Sequence, residues 1–336
     1  MDATLAEFGP AVALVGQAAR WAAGFAERLR SVGATSKSDA SPVTAADLAL
    51  QALLVAGLQE RYGAIPVVGE ESTAVFRGEG GDALRSRVHE LAQSARPGFT
   101  SAAIDAAIDA GTADGTSREQ WIIDPIDGTR GYLTGQQYCV CLGLVRDRDV
   151  AFGAAGCPRL GTEGLVVAAS RGRGSWVWSG LAGGAPPHRV VAVKAPRPEL
   201  VACESADVGP RAKQRLRLLA EAWPATLSAR QLESQCKFVL VAIGEADLAV
   251  RFPPRVAGSE RDAVWDYAGA VVMAEEAGAR MTDCDGQPLR FGRGRYIEGN
   301  RGILCAAPWL HATAVERMPE VDRLMLRATP QASSDG

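Results

Sequence analysis

The chain reads Trp121-Ile122-Ile123-Asp124-Pro125-Ile126-Asp127-Gly128-Thr129-Arg130-Gly131 at its most informative stretch. Its two carboxylates stand three residues apart around a proline, and they can converge on one hard cation because Mg²⁺ prefers oxygen ligands. Gly128 and Thr129 follow with backbone N–H groups, and a candidate helix start, suited to an anion beside that cation. A strand that ends in an ordinary Asx-type turn is the alternative. The combination indicates phosphoryl chemistry.

Two further acidic segments lie far from this stretch in the sequence. In Val67-Val68-Gly69-Glu70-Glu71-Ser72 an apolar pair runs into a glycine and two glutamates, which is typical of a strand whose last residues leave the sheet. Glu70 could bridge two cations or orient a water there, and a solvated loop is the alternative. Asp266, in Val264-Trp265-Asp266-Tyr267, stands at a predicted helix start, where an aspartate suits an N-cap and a metal ligand equally.

These three segments resemble, in order and spacing, the signatures of the lithium-sensitive, metal-dependent phosphatases of the inositol monophosphatase superfamily. Within that superfamily the chain is most similar to the 3′(2′),5′-bisphosphate nucleotidases. The finer match rests on residues 37–47, 130–133, 137–138, 203–205, 233–238 and 251–253. The resemblance runs from about residue 37 to residue 295, which is most of the chain.

The resemblance implies an α+β fold, a layered αβαβα sandwich of the inositol monophosphatase and sugar phosphatase type. We expect an N-terminal α+β lobe over residues 1–185 with most metal ligands, and a C-terminal α/β lobe over 186–327 with the substrate residues. The Gly/Pro-rich stretch 180–187 marks the boundary, and residues 328–336 are expected to be a disordered tail. Apolar periodicity alone gives only α/β or α+β. It predicts helices over 3–31, 44–62, 211–222, 234–243 and 266–277, one or two helices in 77–118, an antiparallel meander over 121–179, and strands at 200–203, 247–251 and 302–306.

The resemblance also assigns metal and catalytic roles residue by residue. Mg²⁺ would be held by the side chains of Glu70, Asp124, Asp127 and Asp266 and by the backbone carbonyl of Ile126. Thr129, paired with Asp47, would orient or deprotonate the attacking water, with Glu70 as a further catalytic residue and Glu71 assisting an additional metal. By itself, Asp47 is an acid in the first turn of a helix, which is ordinary dipole complementation.

A second set of residues is expected to bind substrate: Gly128, Thr129, Glu204, Ser205, Ser234, Lys237, Arg251 and Asp266. Ser234, Lys237 and Arg251 match positions that hold the phosphate that is not cleaved, and Glu204 and Ser205 would lie near the sugar or base. The chemistry fits, because arginine binds phosphate bidentately and lysine binds it as a point charge. Solvated surface charges are the alternative for Lys237 and Arg251.

The chain departs from the family pattern at several positions. Pro210-Arg211 stand where related enzymes carry a His-Ser pair at the base-docking segment, so the choice between nucleotide and inositol phosphate stays open. Tyr267 replaces a histidine after Trp-Asp, and Glu233 replaces an aspartate. Residues 255–261 are an insertion before the Asp266 segment.

The implied function is a Mg²⁺-dependent phosphatase that converts adenosine 3′,5′-bisphosphate to AMP and phosphate. Activity on the sulfated analogue, 3′-phosphoadenosine 5′-phosphosulfate, and inhibition by lithium would follow. An inositol monophosphate or inositol polyphosphate 1-phosphatase is the alternative within the superfamily. A non-catalytic binder of phosphorylated ligands is the alternative of another class, and the intact set of candidate acids with Thr129 argues against it.

Composition agrees with a small-molecule enzyme. Among 336 residues, 36 basic and 39 acidic side chains give a net charge of −3, which excludes a generally basic nucleic-acid surface. The 3 histidines argue against a histidine-based site, and the 7 cysteines suggest reduced thiols in the cytoplasm. Cys139 and Cys141 alternate along an apparent strand, and we expect them to fill a core face rather than bind zinc.

No segment is expected to span a membrane. The partner is a phosphorylated nucleotide, and the oligomer is a monomer or a homodimer.

Overall fold

The computed structural model describes residues 6–31, 45–182, 186–205, 209–232, 234–253 and 261–327. Its helices are α1 (Gly9–Ser31), α2 (Ala45–Tyr62), α3 (Gly81–Ala95), α4 (Ser101–Ala110), α5 (Thr129–Thr134), α6 (Pro210–Ala220), α7 (Cys236–Ala242), α8 (Ala268–Glu276) and α9 (Pro308–Arg327). Its strands are β1 (Val67–Val68), β2 (Glu119–Asp127), β3 (Cys139–Arg146), β4 (Asp149–Cys157), β5 (Leu165–Ser170), β6 (Gly174–Ser179), β7 (His188–Val190), β8 (Glu199–Glu204), β9 (Thr226–Gln231), β10 (Leu248–Arg251), β11 (Asp262–Ala263), β12 (Arg280–Thr282), β13 (Tyr296–Ile297) and β14 (Ile303–Ala306).

The strands form two large sheets and one small ribbon. The first sheet has seven strands in sequence order, β1 to β7; β1 pairs with β2 in parallel and every later pair is antiparallel. The second sheet has the order β12-β14-β10-β8-β9, in which β8 lies parallel to both of its neighbours. Strands β11 and β13 form a two-stranded antiparallel ribbon.

Helices alternate with these sheets in five layers. Helices α1 and α2 pack on one face of the first sheet, and α8 packs on strands β3 to β6 of that sheet. Helix α7 lies beside α8 and contacts the second sheet, whereas α9 contacts that sheet through β14 and packs on α6. The αβαβα sandwich implied by the sequence is therefore confirmed. None of the described helices combines the length and hydropathy needed to cross a membrane.

The first sheet is buried on both faces because its side chains alternate between two cores. Trp121 and Ile123 of β2 join the core beneath α1 and α2, whereas Ile122 joins the core around α7 and α8. On β3, Cys139 and Cys141 lie in that second core. The expectation that these two cysteines fill a core face is therefore confirmed.

Helix α8 approaches the first sheet closely, and small residues allow it. A side chain at Gly153 would place its Cβ 2.3 Å from the carbonyl oxygen of Gly269, and one at Gly143 would meet the Cβ of Ala268 at 2.9 Å. The small residues Ala268 and Gly269 at the start of α8 complete this contact. Because α8 sits so tightly on β3 and β4, the turn that carries Asp266 is fixed beside the end of β2.

Most predicted elements agree with the structure to within a few residues. The meander over 121–179 is confirmed, and the segment 77–118 contains α3 and α4, both packed with the first layer. The sequence patterns missed the short strands β7, β11, β12 and β13, the strand β9 and the long helix α9. The lobe boundary at residues 185/186 stays a prediction; strand β7, which follows it, pairs with β6 of the first sheet. Residues 37–44 of the family match at 37–47, the expected tail at 328–336, residue 233 and most of the 255–261 insertion lie outside the described residues.

Candidate active site

A β-bulge at the end of β2 brings Asp124 and Asp127 to one side of the sheet. On a regular strand, residues three apart point to opposite faces. Here Asp124 pairs with Cys141 and Asp127 pairs with Cys139, so three residue steps on β2 span two on β3. The extra residue turns the second carboxylate to the face of the first. The bulge lies at the Pro125-Ile126 step, where proline gives up a ladder hydrogen bond at little cost.

The chain turns sharply after Asp127 and starts a helix. Gly128 has φ 89°, the left-handed region that glycine enters without steric cost, and Thr129 is the first residue of α5. The Thr129 hydroxyl donates to the carbonyl oxygen of Ile126 at 3.2 Å. That carbonyl, expected as a metal ligand, keeps a second lone pair. The turn therefore places a hydroxyl, a carbonyl and two carboxylates within one short segment.

Glu70 and Asp47 come to this segment from the first layer. Glu70 follows β1 in a loop that Gln51 of α2 holds, because the Gln51 amide donates to the Glu71 carbonyl at 2.7 Å and its oxygen accepts from the Glu71 N–H at 3.1 Å. Glu70 is exposed to solvent, whereas the Glu71 side chain is buried. Asp47 is buried in the first turn of α2. The predicted loop at the end of a strand is therefore present.

Asp266 reaches the same place from the C-terminal half of the chain. It is the last residue of a 3₁₀ turn, Val264–Asp266, and the N-cap of α8 is the next residue, Tyr267. The capping role considered for Asp266 therefore does not apply. Asp266 is partly buried and lies close enough to Glu70 for the two carboxylate charges to repel each other.

The clustered carboxyl groups have raised pKa values, which favours a bound cation among them. Burial first, and then the charges of Asp127, Glu70, Asp266 and Asp47, raise the pKa of the Asp124 carboxyl well above its usual value. Burial and neighbouring groups likewise raise the pKa of Asp127. The pKa of Glu70 is raised because surrounding protein atoms desolvate its carboxyl, although the residue as a whole is exposed. Among the described residues, the buried Oδ1 of Asp124 has no hydrogen-bond partner. A bound divalent cation fits this arrangement, because it would offset the repulsion between the carboxylates and would coordinate the unpaired oxygen of Asp124.

These shifts predict how stability depends on pH when metal is removed. Burial, followed by the charge of Glu70, raises the pKa of Asp266 from 3.8 to about 7. A carboxyl whose folded pKa is raised stabilises the fold only while protonated, so its contribution is lost as pH rises from about 4 to about 7. In a chelator, we expect Asp266→Asn to gain melting temperature over wild type across this interval.

The quantity to measure is the difference in melting temperature between Asp266→Asn and wild type at each pH. A second titrating group changes the stability of both proteins with pH in the opposite direction. Burial lowers the pKa of His311 to about 4, so His311 favours folding more strongly as pH rises over the same range. That contribution cancels when wild type and variant are compared at each pH. Saturating Mg²⁺ should remove the advantage of the variant, and an unchanged advantage would contradict the assignment of Asp266 as a ligand.

A cationic group lies next to the carboxylates. Lys237 of α7 is only 9% exposed, and its ammonium donates to the Ser205 hydroxyl at 3.2 Å. Its charge partly offsets the rise that burial causes in the pKa of Asp127 and Asp266, which places it beside the predicted metal ligands. The alternative of a solvated surface charge is therefore wrong for Lys237. Glu204, at the end of β8, is also buried.

Arg251, the last residue of β10, is held by neighbouring polar side chains. It pairs with Asp262, and the Tyr267 hydroxyl donates to the same carboxylate at 2.9 Å. The positive charge of Arg251 also offsets part of the rise that burial causes in the pKa of Asp266. Tyr267, at the position where the family carries histidine, therefore helps to orient Arg251 through Asp262.

A cavity of about 1070 Å³ opens from Glu204, Ser205 and Arg251 into the C-terminal half of the chain. Further arginines line it: Arg211, Arg215, Arg261 and Arg301. Arg211 belongs to the segment expected to dock the base, where Pro210 is the first residue of α6. The cavity has room for a substituent much larger than a phosphate. Its wall also carries four acids, Glu204, Asp262, Glu298 and Asp322, and Asp262 and Asp322 pair with three of the arginines.

Residues 5–321 match the Inositol monophosphatase family. The chain belongs to the inositol monophosphatase family. Curated relatives include the 3′(2′),5′-bisphosphate nucleotidase of Emericella nidulans, 30% identical with 88% of this chain and 92% of that protein covered. The 3′(2′),5′-bisphosphate nucleotidase of Schizosaccharomyces pombe is 29% identical, covering 85% of this chain and 86% of that protein. The probable 3′(2′),5′-bisphosphate nucleotidase 4 of Arabidopsis thaliana is 30% identical, with 89% and 90% covered.

Solved structures of family members have the same fold. A Thermotoga maritima IMPase superposes with a TM-score of 0.62 at 18% identity, covering 94% of this chain and 97% of its own. CysQ from Bacteroides thetaiotaomicron, described as a bacterial member of the inositol monophosphatase family, gives 0.61 at 21% identity, with 89% and 96% covered. At these identities the likeness supports the architecture alone. Enzymes of the inositol monophosphatase family depend on metal ions.

Two residues that contact the acidic segments of the site, Gln235 and Arg295, were not predicted from the sequence. The backbone N–H of Gln235 donates to the Asp127 carboxylate, and its side-chain amide donates to the carbonyl of Trp265 at 3.0 Å. Arg295 donates to the carbonyl of Gly69 and lies 4.8 Å above the ring of Trp265. Both residues therefore act across elements distant in sequence. The positive φ of 71° at Ser234 turns the backbone just before the Gln235 N–H, and it is a feature of the structure that the sequence does not signal.

Proposed function

We propose that this protein is a Mg²⁺-dependent phosphatase that removes the 3′-phosphate of adenosine 3′,5′-bisphosphate to give AMP and phosphate. We extend the proposal to the sulfated analogue, which has the same 3′-phosphate. The observation that carries it is the buried cation Lys237 placed between the carboxylate cluster and the arginine-lined cavity. The names of the curated relatives support the choice of substrate.

Glu70, Asp124, Asp127, Asp266 and the carbonyl of Ile126 are the proposed Mg²⁺ ligands. When bound, Mg²⁺ would neutralise charge on the phosphoryl group and lower the pKa of the attacking water. The protein's part is to hold the carboxylates at fixed positions, which the bulge, the Gln51 contacts and the Gln235 N–H support. Preorganised charge of this kind costs little reorganisation during the reaction.

Thr129 and Asp47 are the proposed partners of the attacking water, with Glu70 assisting. The Thr129 hydroxyl can donate one proton and accept another hydrogen bond, so it can fix the orientation of a water. Gly128 and Thr129 also present the start of α5 and would bind the scissile phosphate. Asp47 is a buried carboxylate at the start of α2 and would accept the proton as the base.

Lys237, Ser234 and Arg251 are proposed to hold the 5′-phosphate. The ammonium of Lys237 and the guanidinium of Arg251 give a charge-assisted pair of anchors at a distance from the site of cleavage. The Ser234 oxygen accepts from the N–H of Cys236 at 3.2 Å, which leaves its O–H to donate. Glu204 and the cavity beyond it would hold the sugar and base. Arg211 supports this placement, because a guanidinium can stack on an aromatic base.

The proposal also covers the location of the enzyme, its inhibition by lithium, its oligomeric state and its partners. We propose a cytoplasmic location, supported by seven buried cysteines that are all free thiols. Inhibition by lithium stays a prediction, as does the oligomeric state, monomer or homodimer. We propose no nucleic-acid or membrane partner, in keeping with the net charge of −3.

Lys237→Met tests the proposed 5′-phosphate site. The variant keeps the apolar stem and removes the charge, and hydrogen bonds to charged groups contribute about 1.5–3 kcal/mol. We therefore expect KM for adenosine 3′,5′-bisphosphate to rise roughly 10- to 100-fold. KM for adenosine 3′-monophosphate, which lacks the 5′-phosphate, should change much less. Steady-state phosphate release with both substrates measures the difference.

Lys194→Met is the matched control, because Lys194 is exposed on the loop after β7. It should leave KM for both substrates unchanged. Equal losses with the two substrates in Lys237→Met would contradict a 5′-phosphate contact and point to a role in the metal site alone.

A further inference from the structure

Four buried cysteines lie beside the carboxylate cluster, in the core between the first sheet and helices α7 and α8. Cys139 and Cys141 come from β3, Cys157 ends β4, and Cys236 begins α7. Each is at most 1% exposed. The proposed reaction uses none of them.

Three of these thiols converge on one point. The sulfurs of Cys139, Cys157 and Cys236 all lie within 4.8 Å of one another. The antiparallel register of β3 and β4, with Val140 opposite Gly156, carries Cys139 toward Cys157. Cys236 approaches from the C-terminal half and donates to the carbonyl of Tyr138 at 3.5 Å. The fourth cysteine, Cys141, has its sulfur 3.4 Å from that of Cys139.

This arrangement has the dimensions of a thiolate metal site. A Zn–S bond of about 2.3 Å in tetrahedral geometry puts ligand sulfurs roughly 3.8 Å apart. The observed spread of up to 4.8 Å thus needs only small inward shifts. Soft thiolates favour zinc, cadmium or cuprous ions over Mg²⁺. Cys139 and Cys141 alone are too few for a zinc site, whereas the fold adds Cys157 and Cys236.

We propose that Cys139, Cys157 and Cys236 form a second metal site, specific for thiophilic cations, whose occupation inhibits the enzyme. The sulfur of Cys139 also contacts the Asp127 carboxylate at 3.8 Å, so one side chain would link the two sites. A cation on Cys139 removes that contact and places positive charge next to a proposed Mg²⁺ ligand. Metal binding itself does not depend on the proposed function; the inhibition rests on it.

Binding is expected to be slow and tight. The thiolate is the ligand, so each thiol releases its proton to solvent as its metal bond forms. Because all three sulfurs are buried, the cation enters only when the core opens locally. Inhibition by micromolar Zn²⁺ should therefore develop with time.

Cadmium titration of the reduced, full-length protein in excess Mg²⁺ tests the site directly. We expect one Cd²⁺ per chain, detected by ultraviolet thiolate-to-cadmium absorption, and a cadmium NMR resonance typical of several sulfur ligands. Cys157→Ala and Cys236→Ala should each lose this signal. Cys305→Ala, a buried cysteine of the second sheet, is the matched control and should retain it. Equal absorption in wild type and both cluster variants, or a wild-type resonance typical of oxygen ligands, would overturn the proposal.

An activity measurement locates the inhibition. Zinc inhibition of wild type should persist in excess Mg²⁺ and should be lost in Cys157→Ala and Cys236→Ala, whose activity without zinc is unchanged. Inhibition that Mg²⁺ relieves equally in wild type and both variants would place zinc on the carboxylates and overturn the inhibitory role. A protein without phosphatase activity would contradict the proposed function, while the cadmium signal would still report on the thiol site.

Discussion

Asp124→Asn is expected to lower turnover by roughly a thousandfold, since loss of several kcal/mol of metal-based charge stabilisation corresponds to such a factor. Asp124 is 3% exposed, and the charges of Asp127, Glu70 and Asp266 all raise its pKa, so it lies among the other candidate acidic ligands. Asparagine keeps the shape and one oxygen but removes the charge that attracts the cation. Phosphate release under saturating Mg²⁺ measures the effect.

The same variant separates catalysis from folding. Burial and repulsion raise the pKa of Asp124, so its charge destabilises the metal-free protein at neutral pH. In a chelator, Asp124→Asn should therefore melt at the same temperature as wild type or higher, and Mg²⁺ should stabilise it less. Asp149→Asn removes an exposed carboxylate and should behave like wild type throughout. A protein that keeps its turnover after Asp124→Asn would refute the metal assignment, whereas a purely binding protein would keep its ligand affinity.

Thr129→Val is expected to reduce turnover by about 10²- to 10⁴-fold, the usual contribution of a positioned proton-transfer partner. Valine preserves the branched shape and removes only the hydroxyl. The Thr129 hydroxyl makes one hydrogen bond at the surface of the turn, to the carbonyl of Ile126, so stability should change by less than about 1 kcal/mol. Turnover and the Mg²⁺ concentration for half-maximal activity are the two quantities to measure.

Thr129→Ser supplies the control, because serine restores the hydroxyl without the methyl group. It should retain most of the activity, and the Mg²⁺ dependence should be the same in all three proteins. If Thr129→Val and Thr129→Ser lose activity equally, the methyl group rather than the hydroxyl matters, and the role in positioning water is wrong.

The sequence predicts the acidic segments and the meander because those features are local. Asp124-Pro125-Ile126-Asp127 sits between an apolar strand and a Gly-Thr turn, and neighbours along the chain alone determine that pattern. Strand β9 was missed although Leu227 and Ala229 alternate with polar residues, because the run is short and its residues, Thr226–Gln231, are all partly or fully exposed. Helix α9 was missed because Pro308 starts it and Pro319 lies inside it, and proline is normally a signal for a helix end.

The parts of the site that join distant segments were beyond sequence reasoning. The bulge that aligns Asp124 with Asp127 depends on the register with β3. The contacts of Gln235 and Arg295 cross more than a hundred residues of chain. The convergence of Cys157 and Cys236 on Cys139 needs three elements to pack together. Such features depend on tertiary packing, and only their residue types are visible beforehand.

Phosphate release by the purified chain with Mg²⁺ tests the central claim most directly. The substrates are adenosine 3′,5′-bisphosphate, its sulfated analogue, inositol 1-phosphate and inositol 1,4-bisphosphate, compared by kcat/KM at one Mg²⁺ concentration. The account predicts a strong preference for the two adenosine compounds. Preference for the inositol phosphates would keep the metal chemistry but contradict the roles given to Lys237, Arg251 and the cavity, and no release from any of the four would contradict the enzyme itself.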